Sequence, residues 1–186
     1  MTSNRRLDRL VRRAVAGDHR AFASVYDEYI GRVYAYVRQR LGDPAEAEDV
    51  TAIVFLKAFE VLAHYDHRGA PFGAWLFRIA RNTMIDRHRR AGREVRAVPI
   101  KEAGNAPAPA DVEGEVLARL DAAQIRRAME ALTDEQSEVL ELRFFAGLTA
   151  AETAEVTERS TVAVKALQHR AIQSLGRLLR VEAQDT

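Results

Sequence analysis

Cysteine is absent from the 186-residue chain. That removes disulfides, thiolate metal ligands and cysteine nucleophiles together, and it suits a cytoplasmic protein. Long apolar runs are absent too. No stretch approaches the roughly 20 residues of a membrane span, so no membrane insertion is expected. The opening "MTSNRRLDRLVRR" lacks an apolar segment of the kind a secretory signal carries. No segment alternates apolar and polar residues as a half-buried strand does. There is no glycine-rich phosphate loop, no serine in a G-x-S-x-G setting, and no pair of acids isolated among apolar residues. With no catalytic constellation, the chain is not expected to be an enzyme. His64 and His67 stand three apart with only Asp66 between them, so no metal site is expected, and no cofactor is implied. Tryptophan occurs once, at position 75.

What is present is a globular composition, 47% hydrophobic and 30% charged. The net charge of +1 conceals a strong segregation. From His64 to Arg96 there are eight arginines against three acids. From Asp43 to Glu60 there are five acids against one lysine, and from Glu102 to Glu115 four acids and no base. Charge sorted this way along a chain points to separate partners for separate surfaces.

Apolar residues recur at intervals of three and four, which predicts an all-α fold. Leu7, Leu10, Val11 and Val15 mark a first short helix, stopped by Gly17. Phe22, Val25, Tyr26, Tyr29, Val33, Tyr36 and Val37 form the stripe of a second. Asp43 can cap a third, with Pro44 at its first position and Glu46 where a capping-box carboxylate sits. That helix carries Val50, Val54, Ala58 and Val61 on one face, with Phe55, Phe59 and Leu62 beside it. Gly69 and Pro71 punctuate the chain before a fourth helix. The segment after residue 92 is rich in alanine, proline, glycine and acid and lacks an apolar stripe, so residues 92–112 are expected to be a flexible linker. Two small helical domains follow from this, 1–91 and 113–186, each near the lower limit of what folds alone.

"PFGAWLFRIARNTMIDRHRR", residues 71–90, sets the only tryptophan beside the densest run of arginine. An aromatic cluster alone is core, and an arginine run alone is a solvated face. Together they suit a partner that is anionic and offers flat apolar surfaces, as unstacked bases on a phosphate chain do. Leu76, Ile79 and Ala80 are assigned to the core. Trp75 and Phe77 each admit two readings, core or base contact. In the second domain Thr133 with Gln136, and Thr149 with Glu152, form two capping boxes, and Gly147 is a helix stop. A helix of about twelve residues, one of about eight and a polar turn "TERS" then lead to a long helix from Thr161, the order of a helix-turn-helix. Val164, Leu167, Ala171, Leu175 and Leu178 are expected inward. Arg159, Ser160, Thr161, Lys165, Gln168, His169 and Arg170 make the outer face, of residue types that contact bases and phosphates.

In this arrangement the chain resembles a bacterial sigma factor of the extracytoplasmic-function group. "DVTAIVFLKAFEVL" resembles that family's polymerase-binding helix, "APFGAWLFRIARNTMIDRHRR" its "SFRTWLYRIARN" promoter-melting segment, and the stretch from Ala131 to Leu175 its second, −35-reading domain. The resemblance implies a transcription initiation factor that carries core RNA polymerase to promoters. It implies contacts with the largest-subunit clamp helices and the flap region, duplex DNA at −35, single-stranded DNA at −10, and an anti-sigma factor. It implies polymerase contacts at Asp49, Val50, Ile53 and Lys57. It implies −10 contacts at His67, Arg68, Phe72, Trp75, Phe77, Arg78, Arg81, Asn82, Arg89 and Arg90, and −35 contacts on the outer face from Arg159 to Arg170. The acidic linker would lie in the RNA exit path. An obligate homo-oligomer is not expected. Two positions depart from the family's "D-x-x-Q-E": Ala52 and Ile53 stand where Gln and Glu are usual. The competing reading is a repressor or activator that binds duplex operator DNA without polymerase. It leaves the aromatic-arginine helix and the acidic helix before it without a role.

Overall fold

The computed structural model describes residues 2–66, 69–90, 92, 129 and 131–182, the side chains of residues 2–4 and 178–182 excepted. Almost all of the expected linker, the beginning of the second domain, His67, Arg68 and the side chain of Leu178 lie outside the described residues. Every regular element among the described residues is helical. Helices α1 (Thr2–Val15), α2 (His19–Leu41), α3 (Pro44–Val61) and α4 (Phe72–Arg90) make the first half, with one 3-10 turn at Leu62–His64. Helix α5 (Asp134–Leu140) runs into a π-helical turn, Glu141–Phe145, and is followed by α6 (Ala150–Thr157) and α7 (Thr161–Glu182).

The helix ends follow from single residues. Asp18 caps α2, its Oδ1 accepting from the backbone N–H groups of Arg20 and Ala21 at 3.0 Å each. Gly42 closes α2 with φ +80°, a left-handed conformation that favours glycine. Asp43 caps α3 as expected, accepting from Glu46 N at 2.8 Å, with Pro44 next in line. The carboxylate of Glu46 has another partner: it accepts from Arg87 Nε of α4 at 2.6 Å. Both expected capping boxes form, at Thr133/Gln136 and Thr149/Glu152. The turn between α6 and α7 has no glycine, so Glu158 itself takes the left-handed conformation, with φ +57°.

Helix α2 is the spine of the first half. Its buried Val25, Tyr29, Val33, Tyr36 and Val37 share one core with Val50, Val54 and Ala58 of α3 and with Leu76, Phe77 and Ala80 of α4. The second half has two small clusters of its own. One joins Met129, Leu140, Ala171 and Leu175, the other Val139, Ala154, Val164 and Leu167. Four other apolar residues of this half are placed elsewhere. Leu142, Ala146, Leu148 and Val156 are buried in the core of the first half. Helix α6 packs on α4, and the π-helical turn packs on α2. Each half is near the lower limit of what folds alone, and the second shares its burial with the first. A bundle this small cannot enclose every apolar side chain it carries, and the face left over is covered by its neighbour. Each large side chain so buried contributes about 1.5–3 kcal/mol relative to exposure.

Candidate nucleic-acid interface

The start of α4 is an aromatic assembly. Phe72 meets Tyr29 at 5.5 Å and Tyr65 at 5.4 Å between ring centroids, both edge-on. Trp75 meets Tyr65 at 5.1 Å and Phe72 at 5.2 Å. Tyr65 donates to the carbonyl of Ala70 at 3.0 Å, which fastens the loop preceding α4 to the cluster. Phe72 is buried by this packing, whereas Trp75 is half-buried and keeps an open side. Phe77 is 0% exposed and sits edge-on to the wholly buried Tyr36 at 5.6 Å. The two readings left open by the sequence thus separate. Phe77 is core, Trp75 retains surface, and the placement of Phe72 and Phe77 among base-contacting residues is corrected. Burial pushes the Tyr29 phenol up to about 12 and raises that of Tyr36 as well, so both rings are neutral packing elements.

The arginines that follow do not all point into solvent. Arg81 Nε donates to Glu138 Oε1 of α5 at 2.7 Å. Arg78 Nη2 donates to the carbonyl of Glu155 at 2.9 Å and lies 3.6 Å from its carboxylate. Arg78 Nε is buried without a hydrogen-bond partner. On α2, Arg40 Nη1 donates to Glu141 Oε2 at 3.0 Å. Arg32 donates to the carbonyls of Ala146 and Gly147 at 2.8 and 3.2 Å, with its guanidinium 4.9 Å over the Tyr29 ring. Burial raises the pKa of Glu141, and the Arg40 guanidinium opposes that rise. Four arginines of the first half are thus bound by the second. Asn82, Arg89 and Arg90 remain exposed. The sequence showed these arginines but not their partners, because Glu138, Glu141 and Glu155 lie 57 to 101 residues away from them.

On α7 the expected outer face is present. Ser160 is the cap, its Oγ accepting from Ala163 N at 3.1 Å. Thr161, Lys165 and Arg170 are exposed, while Gln168 and His169 are half-buried. Gln168 accepts from Arg143 Nε at 2.9 Å, His169 pairs with Gln173 at 2.9 Å, and Arg159 Nη2 lies 2.8 Å from Glu135 Oε1. Lys165 is therefore the cation of this face nearest the helix start that projects into solvent with no ion pair among the described residues.

Helix α3 presents a third surface. Leu56 is 59% exposed, and Ile53 and Phe59 also stand outward, beside the exposed Asp49, Ala52 and Glu60. Lys57 is half-buried, 3.3 Å from Thr83 Oγ1 and 3.9 Å from Asp86. Val50 is 0% exposed and belongs to the core, which corrects its assignment as a partner contact: helical spacing turns it toward α2 and α4 while Asp49 and Ile53 point away.

Residues 25–94 match the family described as Sigma-70 region 2, and residues 128–176 match Sigma-70, region 4. The chain is similar to the ECF RNA polymerase sigma factor BldN of Streptomyces coelicolor, 39% identical over 181 residues, covering 96% of this chain and 67% of the relative. It is similar to the ECF RNA polymerase sigma factor SigD of Mycobacterium tuberculosis, 37% identical over 180 residues, covering 91% and 82%. The chain belongs to the ECF RNA polymerase sigma factors of the sigma-70 family. Among solved structures, CnrH in complex with the cytosolic domain of CnrY is 28% identical, with a TM-score of 0.68 over 92% of this sigma factor and 96% of that chain. A sigma factor is a transcription initiation factor that binds RNA polymerase and promoter DNA, and it is not an enzyme. The reading as a polymerase-independent repressor or activator is set aside. No described helix of the sigma factor is long and apolar enough to cross a membrane.

Proposed function

We propose that this sigma factor divides its work among three surfaces, with residues 1–91 acting as the −10 and polymerase-binding domain and residues 113–186 as the −35 domain. The observation that carries the reading is the outer face of α3. Ile53, Leu56 and Phe59 leave apolar surface uncovered between Asp49 and Glu60. Apolar surface rimmed by charge is the signature of a protein contact. The acids of this face suit the basic clamp of the polymerase's largest subunit, and the apolar residues supply what Gln and Glu supply in relatives. The −10 strand is taken by Trp75, Arg78, Arg81 and Asn82, and His67 and Arg68 of the same stretch of sequence are proposed to join them. Unstacking a base costs a few kcal/mol, and stacking on an aromatic returns about 1–3 kcal/mol per base. The −35 duplex is read from the start of α7.

The closed junction bears on the order of events. While Glu155 and Glu138 hold Arg78 and Arg81, those guanidinium groups are not free for phosphate, so separation of the halves precedes −10 capture. The flap region would then hold the second half apart from the first. An anti-sigma partner belongs to the same reading, and CnrH, similar in fold, was solved with the cytosolic domain of CnrY.

The test is assembly on purified core RNA polymerase with Leu56→Glu. The variant retains the buried faces of α3, so it should fold as the parent does and yet assemble at least ten-fold more weakly. Equal assembly would remove α3 from the polymerase contact.

A further inference from the structure

Glycine is the poorest helix former after proline, yet Gly73 stands buried in the first turn of α4. It has no positive φ, so no left-handed backbone demands glycine there. Its surroundings supply the reason. A Cβ at this position would lie 3.3 Å from Tyr29 Oη, 3.5 Å from Leu148 Cδ2 and 3.6 Å from Glu152 Oε1. The first distance is tighter than ordinary van der Waals contact, and the other two leave no room for a γ carbon on that side. By contrast, Gly31 of α2 has nothing within 4 Å of where its Cβ would be.

Two of these three neighbours belong to the second half, and neither can swing aside. Leu148 is 1% exposed and lies in the core of the first half. Glu152 closes the capping box of α6, its Oε2 accepting from the backbone N–H and the hydroxyl of Thr149 at 2.8 Å each. A side chain at position 73 is therefore accommodated by moving the start of α6. That helix is eight residues long and moves as a body. Glu155, whose carbonyl accepts from Arg78 Nη2 at 2.9 Å, is one turn beyond Glu152 and moves with it.

The rest of the junction mixes apolar burial with ion pairs, Arg81 to Glu138 and Arg40 to Glu141. Interfaces of this mixed kind between halves of a chain part and re-form. We infer that the close approach of α6 to Gly73 is an autoinhibitory contact. Glycine at 73 lets the second half close on the first and hold Arg78 away from the −10 strand. A side chain there shifts the molecule toward the open form without touching either arginine. The inference rests on the −10 role proposed above for Arg78 and Arg81.

The experiment uses the full chain, free and assembled with core polymerase, as the parent, Gly73→Ala and Gly73→Val. Because the chain has no cysteine, Asp27→Cys and Arg177→Cys, both at exposed positions, can carry a donor and an acceptor dye, one on each half. Energy transfer in the free protein should fall from parent to alanine to valine. A strand that binds only the open form binds in proportion to its population. A labelled single-stranded −10 oligonucleotide should therefore bind the free alanine variant roughly five-fold tighter than the parent, and the valine variant at least about ten-fold tighter. In holoenzyme, where the halves are already apart, the three proteins should open promoters within about two-fold of one another. Assembly with core polymerase checks folding, and alanine, the better helix former, keeps the test intact if valine disturbs the Tyr29 side. Unchanged transfer and affinity in a Gly73→Ala protein that assembles normally overturns the inference. So does weaker oligonucleotide binding by the free variants, which would mean that the glycine admits the DNA backbone and not α6. Failure of the parent holoenzyme to bind the −10 strand would instead remove the reading on which the inference rests, and the dye transfer, which involves no DNA, reports the contact separately.

Discussion

Arg81 of α4 and Glu138 of α5 face each other across the junction of the two halves, Nε to Oε1 at 2.7 Å, and Glu138 is buried there. On the α6 side Arg78 donates to the backbone carbonyl of Glu155 at 2.9 Å, with the carboxylate 3.6 Å away. The two arginines proposed for the −10 strand are among the four that the second half holds. Glu138→Gln with Glu155→Gln should weaken that hold. At about 0.5 kcal/mol per partly exposed pair, a single-stranded −10 oligonucleotide should bind the free protein roughly five-fold tighter, with some loss of melting temperature. Fluorescence anisotropy with a labelled oligonucleotide reads it. Unchanged affinity would mean that the pairs do not compete with DNA.

Phe77→Ala and Trp75→Ala should behave differently. Phe77 is wholly enclosed, so its truncation leaves a cavity and costs about 3–5 kcal/mol. Trp75 keeps an open side, and its loss should impair promoter opening more than stability. Denaturant titration beside an opening assay on a promoter with and without a pre-melted bubble separates them. Rescue of Trp75→Ala by the bubble is the expected result.

Glu158 holds a left-handed backbone that costs a non-glycine residue about 1–2 kcal/mol. Glycine relieves this but gives back about 0.5–1 kcal/mol of unfolded-state entropy. Glu158→Gly should therefore raise the melting temperature by about 1–3 °C. A fall would show that the glutamate side chain contributes more than its backbone costs.

Asp18 has its pKa lowered by the Ala21 amide and by Arg13, below the ordinary 3.8. The folded state thus favours the carboxylate. Its contribution to stability is present above pH 3.8 and is lost as pH falls through the depressed folded value. Asp18→Asn keeps a cap and removes the charge, so the stability gap between parent and variant should close as pH drops below about 4. Melting temperatures between pH 3 and 7 test it, and a gap that stays constant would assign the effect to the cap alone.

Lys165 projects from the start of α7, and a lysine there can donate to guanine O6 and N7, which carries about 1–3 kcal/mol of discrimination. Lys165→Ala should change which −35 bases are tolerated. Arg170→Ala should weaken binding evenly and flatten its salt dependence. Transcription from a randomised −35 library distinguishes the two. A uniform loss for Lys165→Ala would make it a phosphate contact.

Much of this molecule was legible in the order of its residues. Helical period, caps and stops are local, written within a few positions of one another, so the helix ends at Asp43, Thr133, Gly147 and Thr149 were readable from neighbouring residues. The outer faces of α3 and α7 were readable for the same reason, since helical spacing alone divides Val50 from Ile53 or Leu167 from Lys165, although the face of Val50 was misassigned. What tertiary structure decided is where surplus surface goes. Nothing local to Phe77 distinguishes it from Trp75; only the arrival of Tyr36 encloses one and leaves the other open. Nothing local to Arg81 announces Glu138, and nothing near Leu148 announces the first-half core that buries it. These pairings depend on two small bundles that cannot each bury their own apolar faces, so they bury them against one another. That requirement belongs to volume and surface, and no short window of sequence contains it.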